Sequence, residues 1–160
     1  MSVVLDIPVT VIMERKQVSR GRWSVPSWQA AGVVAGGSLA SSEASGTPLR
    51  SNEDGERFLW GGVPLELHSD WAENYRYNLI GEKPRLFVIC SEKLDGELCP
   101  VLVTANHDEA CSHLEGDDQV FATPIPPEIY KQLERFVVEY CAPQRRRKRK
   151  RKNWSEPAEK

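Results

Sequence analysis

Two residues of types that often bind metal ions lie one helical turn apart in this chain. His107 and Cys111 are four residues apart, and Cys90, Cys99 and His113 are near them in the sequence. Residues at i and i+4 share one face of a helix, so a helix here would place His107 beside Cys111. Zinc sites usually show paired Cys-x-x-Cys or His spacings, and none occurs. His107 and Cys111 remain candidates for a metal site, but we favour a buried Cys111 beside exposed histidines, with no metal and no cofactor.

The sequence offers two kinds of candidate for acid–base catalysis, a histidine and a cluster of acidic residues. His68 could be a general base, but no nucleophile or orienting partner can be assigned to it, so a surface histidine is the preferred interpretation. Glu115, Asp117 and Asp118 are predicted to form a solvated corner after a helix. The chain contains no GxSxG, HExxH, phosphate-loop or Gly-rich dinucleotide motif. We therefore predict a non-enzymatic protein with no catalytic residues.

The strongest charge signal is a run of eight consecutive basic residues. They are Arg145, Arg146, Arg147, Lys148, Arg149, Lys150, Arg151 and Lys152. Residues up to Gln144 contain 12 Lys and Arg against 21 Asp and Glu, a net charge of -9. Such a basic run repels itself and stays solvated until it meets an anionic partner.

Three interpretations of this octet remain open. It could be a nucleic-acid arm that makes up to about eight phosphate contacts. It could instead dock on an acidic protein surface, or it could be an inert solubilising end. The acidic body argues against a dedicated nucleic-acid domain, because it would repel phosphate. We predict that the octet binds a partner, with a protein favoured over nucleic acid.

Composition predicts one α+β domain at residues 1–143. It includes a flexible Gly- and Ser-rich loop at about 35–55, and a disordered basic tail follows at 144–160. No apolar run reaches the roughly 18 to 20 residues of a membrane helix. The first residues lack a basic region before their apolar stretch and lack a small-residue cleavage site. The four cysteines are too scattered for a disulfide scaffold, so a cytoplasmic protein with reduced thiols is expected.

Alternation of apolar and polar residues predicts several strands, which are residues 9–15, 28–34, 57–67, 71–79, 86–90 and 101–104. In residues 71–79, Asn74, Arg76 and Asn78 would form an exposed polar face that decorates the sheet. Asp95-Gly96 predicts a hairpin between the last two strands, and Gly61-Gly62 predicts a turn or bulge. Trp23 and Trp28 bracket a turn and are expected to be packing anchors.

Two helices are predicted near the C-terminus. Asn106 is a helix N-cap, Glu109 would complete a capping box, and Gly116 follows the last turn. Residues 127–140 carry an amphipathic stripe of Ile129, Leu133, Phe136, Val137 and Tyr140. The expected fold is a small, curved antiparallel sheet or partial barrel covered by these two helices.

The order of these segments resembles a bacterial family known as domain of unknown function 3305. The resemblance rests on the first strand with Trp23 and Trp28, on LELH, YRYNL, PRLFV, PVLVTAN and PIPPEI, and on the basic end. Members of that family are typically encoded beside formate dehydrogenase genes. The resemblance thus implies an accessory protein for assembly or operation of a molybdenum or tungsten formate dehydrogenase, bound to one of its components or maturation factors. A nucleic-acid-binding regulator that acts through the basic tail is the alternative.

Overall fold

The computed structural model describes residues 4–36, 47–52, 55–94 and 97–141. In chain order the elements are β1 (Val4–Arg20), β2 (Trp23–Ala35), β3 (Thr47–Asn52), β4 (Gly55–His68), a 3-10 turn (Ser69–Trp71), α1 (Ala72–Ile80), β5 (Arg85–Glu92), β6 (Leu98–Thr104), α2 (His107–Leu114), β7 (Gln119–Pro124) and α3 (Pro127–Tyr140). None of the helices in these ranges has the length and apolar character needed to cross a membrane.

The strands form one mixed sheet. Six of them follow the order β2-β1-β4-β6-β5-β7, and β3 pairs with β4 outside this path. The β4–β6 pair is parallel, at Leu65 opposite Val103, and the other pairs are antiparallel. The end strands β2 and β7 lie beside each other, so the path is nearly closed and barrel-like. The predicted α+β class with a curved sheet or partial barrel is confirmed, with one parallel pair added.

Alternate residues of β1 supply the centre of the core. Val9, Val11 and Met13 have no exposed surface, because β2 and β4 flank their strand and their side chains all point to one face of the sheet. Helices α1 and α3 pack on each other, with the Tyr75 and Phe136 rings 5.9 Å apart. Burial of these residues supplies the main force that closes the sheet.

Both predicted C-terminal helices are present. Asn106 caps α2, because its side chain accepts a hydrogen bond from the Asp108 N–H at 3.0 Å. The Asn106 N–H donates to the Thr104 hydroxyl at 3.1 Å, so Thr104 occupies the place that a capping box gives to Glu109. Helix α3 covers the predicted residues and buries Ile129, Leu133 and Phe136, with Val137 and Tyr140 partly buried.

The strand predicted at residues 71–79 is wrong, because this segment is helix α1 after a 3-10 turn. Ala72, Tyr75 and Leu79 are buried at spacings of three and four residues, which is the helical period. Tyr77, which a strand would have placed beside Tyr75, is 63% exposed. Aromatic residues at i and i+2 indicated a strand, but the core contacts follow the other period.

Part of the predicted loop at 35–55 is also regular structure. Thr47–Asn52 forms β3, which pairs with the start of β4. Residues 37–46, 53 and 54 of that prediction lie outside the described residues. The predicted bulge at Gly61-Gly62 is confirmed, since both glycines lie between Trp60 and Val63 where β1 has Thr10 alone. The predicted antiparallel pairing of β5 with β6 is confirmed as well, whereas the predicted turn residues Asp95 and Gly96 lie outside the described residues.

A projecting hairpin as the candidate functional site

Beyond Arg15, strand β1 separates from β4 and, among the residues that the structure describes, pairs only with β2. Arg15 opposite Glu56 ends the β1–β4 ladder, whereas the β1–β2 ladder continues to Arg20 opposite Trp23. Every residue from 16 to 27 is exposed. We call residues 16–27 the hairpin arm, a two-stranded ribbon that extends past the body of the sheet.

The tip of the hairpin arm is a two-residue turn. Gly21 and Arg22 connect the paired residues Arg20 and Trp23, and Gly21 has a φ of 64°. A glycine with positive φ at the first central position is what a type II′ hairpin turn requires, and this turn matches the twist of the strands that it joins. The turn therefore favours a regular ribbon up to its tip.

A buried carboxylate holds one face of the arm's root. Glu14 is 4% exposed and receives hydrogen bonds from Gln29 at 2.8 Å and Arg57 at 2.9 Å, with Lys16 at 3.1 Å. Burial alone would raise the pKa of Glu14, but these donors and the charge of Lys16 together hold the pKa below its ordinary value. Glu14 is thus ionised at neutral pH, and it ties β1 to β2 and β4.

Stacked side chains hold the other face of the root. The Arg15 guanidinium lies 5.4 Å from the Trp28 ring centre and 5.7 Å from that of Phe58, and it forms an ion pair with Glu56. The Trp28 and Phe58 ring centres are 5.8 Å apart. Cation–π and aromatic contacts of this kind stabilise a fixed arrangement of side chains. Both faces of the root therefore fix the arm's direction.

The sequence predicted that Trp23 and Trp28 are both packing anchors, but only Trp28 is one. Trp28 packs at the root, but Trp23 at the tip is 76% exposed.

The charge of the hairpin arm differs from that of the body. Between Arg15 and Trp23 the arm carries Lys16, Arg20 and Arg22 and no acidic residue, although residues up to Gln144 are strongly acidic. Sequence reasoning missed this site because the first two predicted strands, at residues 9–15 and 28–34, left residues 16–27 outside regular structure. The signals in the sequence that could have indicated a hairpin here were the Gly21-Arg22 pair at its turn and the valines at 18 and 25 on its two strands.

His107 and Cys111 do lie side by side on α2, as their spacing predicted. The Cys111 Sγ is 3.6 Å from His107 Nδ1, and the His107 ring contacts Phe87 edge-on with ring centres 5.4 Å apart. Cys111 is partly exposed rather than buried. Within the described ranges, no group of three or more His, Cys, Asp or Glu side chains is placed to hold a metal ion.

The other thiols and histidines do not join this pair. Cys90 and Cys99 are buried in β5 and β6, and burial raises the pKa of the Cys90 thiol to about 12, which keeps it protonated. His113 lies 2.9 Å from Asp118, so that carboxylate of the predicted acidic corner has a partner. His68 contacts Trp71 with ring centres 4.4 Å apart and ring planes tilted by 51°, and its Nε2 lies 3.4 Å from Glu66.

The three polar residues predicted to line an exposed strand face have separate roles on α1. Asn74 donates to Asn106 at 2.8 Å and to Asp108 at 3.0 Å. Asn78 donates to the carbonyls of Arg85 and Ala105, and accepts from the Arg85 N–H at 3.0 Å. Arg76 pairs with Glu73 at 3.0 Å on the same helix. Two of the three therefore join α1 to other elements rather than decorate a surface.

A groove of about 510 Å³ lies beside these contacts. Its lining comes from α1, the α1–β5 connection, β5 and the start of α2, and includes Lys83, Arg85, His107, Glu82 and Asp108. The cationic and acidic side chains are mixed, so their charges indicate no particular ligand. The basic octet at 145–152, the predicted partner-binding segment, lies outside the described residues.

The fold and the site together define a class: a small α+β protein with a nearly closed mixed sheet and a cationic hairpin arm held rigidly at its root. The chain belongs to the family described as "Protein of unknown function (DUF3305)", which it matches over residues 8–151. The predicted family is therefore confirmed. No curated protein matches the chain. No solved structure matches it either.

Proposed function

We propose that this protein is a non-enzymatic interaction protein that docks on its partner through the hairpin arm. The observation that carries the proposal is that residues 16–27 extend past the sheet with every residue exposed, including a Trp23 that is 76% exposed. Large exposed aromatic side chains are typical of surfaces that a partner covers. The fixed root supports this role, because a rigid binding element has less freedom to lose when it binds.

The partner that we propose is a component or maturation factor of a molybdenum or tungsten formate dehydrogenase. This part of the proposal rests on the gene neighbourhood that the family resemblance implies. The basic octet at 145–152 would be a second docking segment that adds electrostatic attraction. A folded arm and a charged segment on one chain can engage one partner together.

The test is affinity purification of the tagged full chain from its source cells, followed by quantitative mass spectrometry. We compare the native chain with Trp23→Ala, with a chain whose octet is replaced by serines, and with Ser24→Ala as the matched control. Formate dehydrogenase components should be enriched with the native chain and the control, and depleted with Trp23→Ala. If Trp23→Ala recovers the same partners as the native chain, the arm is not the docking element. If the serine variant does so, the octet has no docking role.

A nucleic-acid-binding regulator is the second candidate. The observation in its favour is that the hairpin arm contains three cationic residues and no acidic one, and a two-stranded ribbon fits the major groove of B-DNA. Binding to random RNA and DNA should then fall steeply as salt rises. Binding that is absent or independent of salt would exclude this function.

A further inference from the structure

The hairpin arm has two chemically different faces. Paired residues on neighbouring antiparallel strands share a face, and the faces alternate along each strand. The strand register therefore places Lys16, Val18, Arg20, Trp23, Val25 and Ser27 on one face, and Gln17, Ser19, Ser24 and Pro26 on the other. We call them the Trp23 face and the Ser24 face. The Ser24 hydroxyl donates to Gln17 at 3.0 Å, which agrees with this assignment.

The Trp23 face has an apolar centre with cationic side chains beside it. Val18 and Val25 are directly opposite each other and are 38% and 49% exposed, and Trp23 follows toward the tip. Lys16 pairs with Glu14, whereas Arg20 and Arg22 have no ion-pair partner among the residues that the structure describes. Two guanidinium groups near an exposed tryptophan are therefore available to a partner.

We propose that the Trp23 face docks on an acidic protein surface, where Trp23 enters an apolar recess and carboxylates around the recess pair with Arg20 and Arg22. This inference rests on the proposed function and names the partner's chemistry. Tryptophan and arginine are the side chains most enriched at the energetic centres of protein interfaces. Arginine also pairs with carboxylates through two parallel hydrogen bonds, which gives geometric specificity.

The valines decide between a protein and a nucleic acid as the occupant. Val18 and Val25 place aliphatic carbon at the middle of the face, where a phosphate backbone would offer only charged and polar atoms. A protein recess can bury these side chains and gain the free energy of removing them from water.

The test titrates the isotope-labelled full chain and follows the Gly21 amide and the Trp23 indole N–H by NMR. The probes are a random copolymer of glutamate and tyrosine, poly-L-glutamate, and a short random-sequence DNA duplex. These two signals report on the arm alone, so probe binding at the basic octet does not obscure the result. Trp23→Ala, the double variant Arg20→Gln with Arg22→Gln, and the opposite-face control Ser24→Ala are compared by the Gly21 signal.

The copolymer should shift both signals and bind at least about tenfold more tightly than poly-L-glutamate, because only the copolymer offers apolar groups. Trp23→Ala should weaken its binding by about 30-fold or more. The double arginine variant should bind the copolymer more weakly, and its binding should lose most of its dependence on salt. Ser24→Ala should change neither the affinity nor the salt dependence. The thermal midpoint of each variant should stay near that of the native chain, since the altered side chains are exposed.

Three results would overturn the inference. In the first, the DNA duplex shifts the arm signals with an affinity equal to or tighter than that of the copolymer. In the second, Ser24→Ala weakens binding as much as Trp23→Ala. In the third, no probe shifts the arm signals. If partners were still recovered from cells in an arm-dependent way, the proposed function would hold, and only the proposed chemistry of the partner surface would be wrong. If that recovery also fails to depend on the arm, both proposals fail.

Discussion

Glu14 carries its charge at a position that is 4% exposed, at the root of the hairpin arm. A carboxylate is stable there only because Gln29, Arg57 and Lys16 compensate for the lost water. Since β1, β2 and β4 each supply a member of this network, Glu14 couples the arm's direction to the body of the sheet. No sequence pattern marked Glu14, because its two hydrogen-bond donors on other strands, Gln29 and Arg57, are distant in the sequence.

Glu14→Gln should lower the free energy of unfolding at neutral pH by about 1 to 3 kcal/mol, because a charge-assisted network becomes neutral. The folded-state pKa of Glu14 is lowered, so its charge stabilises the native protein at neutral pH, and this contribution is lost as pH falls through that pKa. Urea denaturation at neutral and acidic pH measures both effects. The difference between native and variant should therefore shrink in acid.

The matched control for this prediction is Glu66→Gln. The Glu66 side chain is 54% exposed and lies 3.4 Å from His68, so its loss should change stability by less than about 1 kcal/mol. A Glu14 variant whose stability deficit is the same at neutral and acidic pH would contradict the assigned ionisation.

At the level of the elements, β4 begins with Gly55, a position where the neighbouring strand β1 leaves no room for a side chain. Gly55 has a φ of 152°, and an added Cβ would lie 2.5 Å from the Arg15 carbonyl oxygen. That carbonyl belongs to the last β1 residue that pairs with β4, so the close approach is located at the arm's root. Backbone atoms must move to accept any side chain at this position.

Gly55→Ala should therefore destabilise the protein by about 1 to 3 kcal/mol. Gly32→Ala is the control, since an added Cβ there meets nothing within 4 Å and Gly32 is not among the glycines with positive φ. The control should be neutral or slightly stabilising. Thermal denaturation of both variants provides the comparison, and equal midpoints would refute the proposed clash.

The arm itself should be dispensable for folding. Replacing residues 17–26 by Asn-Gly would join Lys16 and Ser27, which are directly opposite each other, through a short hairpin turn. Because the removed residues are all exposed, we expect the thermal midpoint to change by only a few degrees. Calorimetry measures the change. A chain that no longer folds would show that the arm contributes to the core.

Among the elements, success in prediction followed the period of the apolar residues. Helix α3 was predicted with its bounds, because Ile129, Leu133 and Phe136 repeat at helical spacing and all face the core. Helix α1 was predicted as a strand, because Tyr75 and Tyr77 alternate although only Tyr75 is buried. The spacing of apolar residues indicates the type of element reliably when all of those residues are buried. One exposed aromatic residue was enough to change the assignment.

At the scale of the whole molecule, stability should be distributed unequally between the body and the arm. Within the described ranges, strand β1 is paired on both sides in the body and on one side in the arm. Hydrogen exchange of amides at residues 9–13 should require global unfolding, whereas amides at 17–26 should exchange through local opening. Peptide-level exchange followed by mass spectrometry tests this gradient. Equal protection along β1 would mean that the arm is part of the cooperative core.

Local patterns in the sequence were enough to predict the fold class, the two C-terminal helices, the β5–β6 pairing and an irregularity at Gly61-Gly62. Each depends on local information, namely a period, a cap or a pair of glycines. Three features became visible only in the folded protein, namely that residues 16–27 form a projecting arm, that Glu14 is buried and that residues 47–52 join the sheet. These features depend on where neighbouring strands begin and end. The pairing of β4 with β1 begins with Glu56 opposite Arg15, and this single long-range fact leaves the twelve residues after Arg15 exposed.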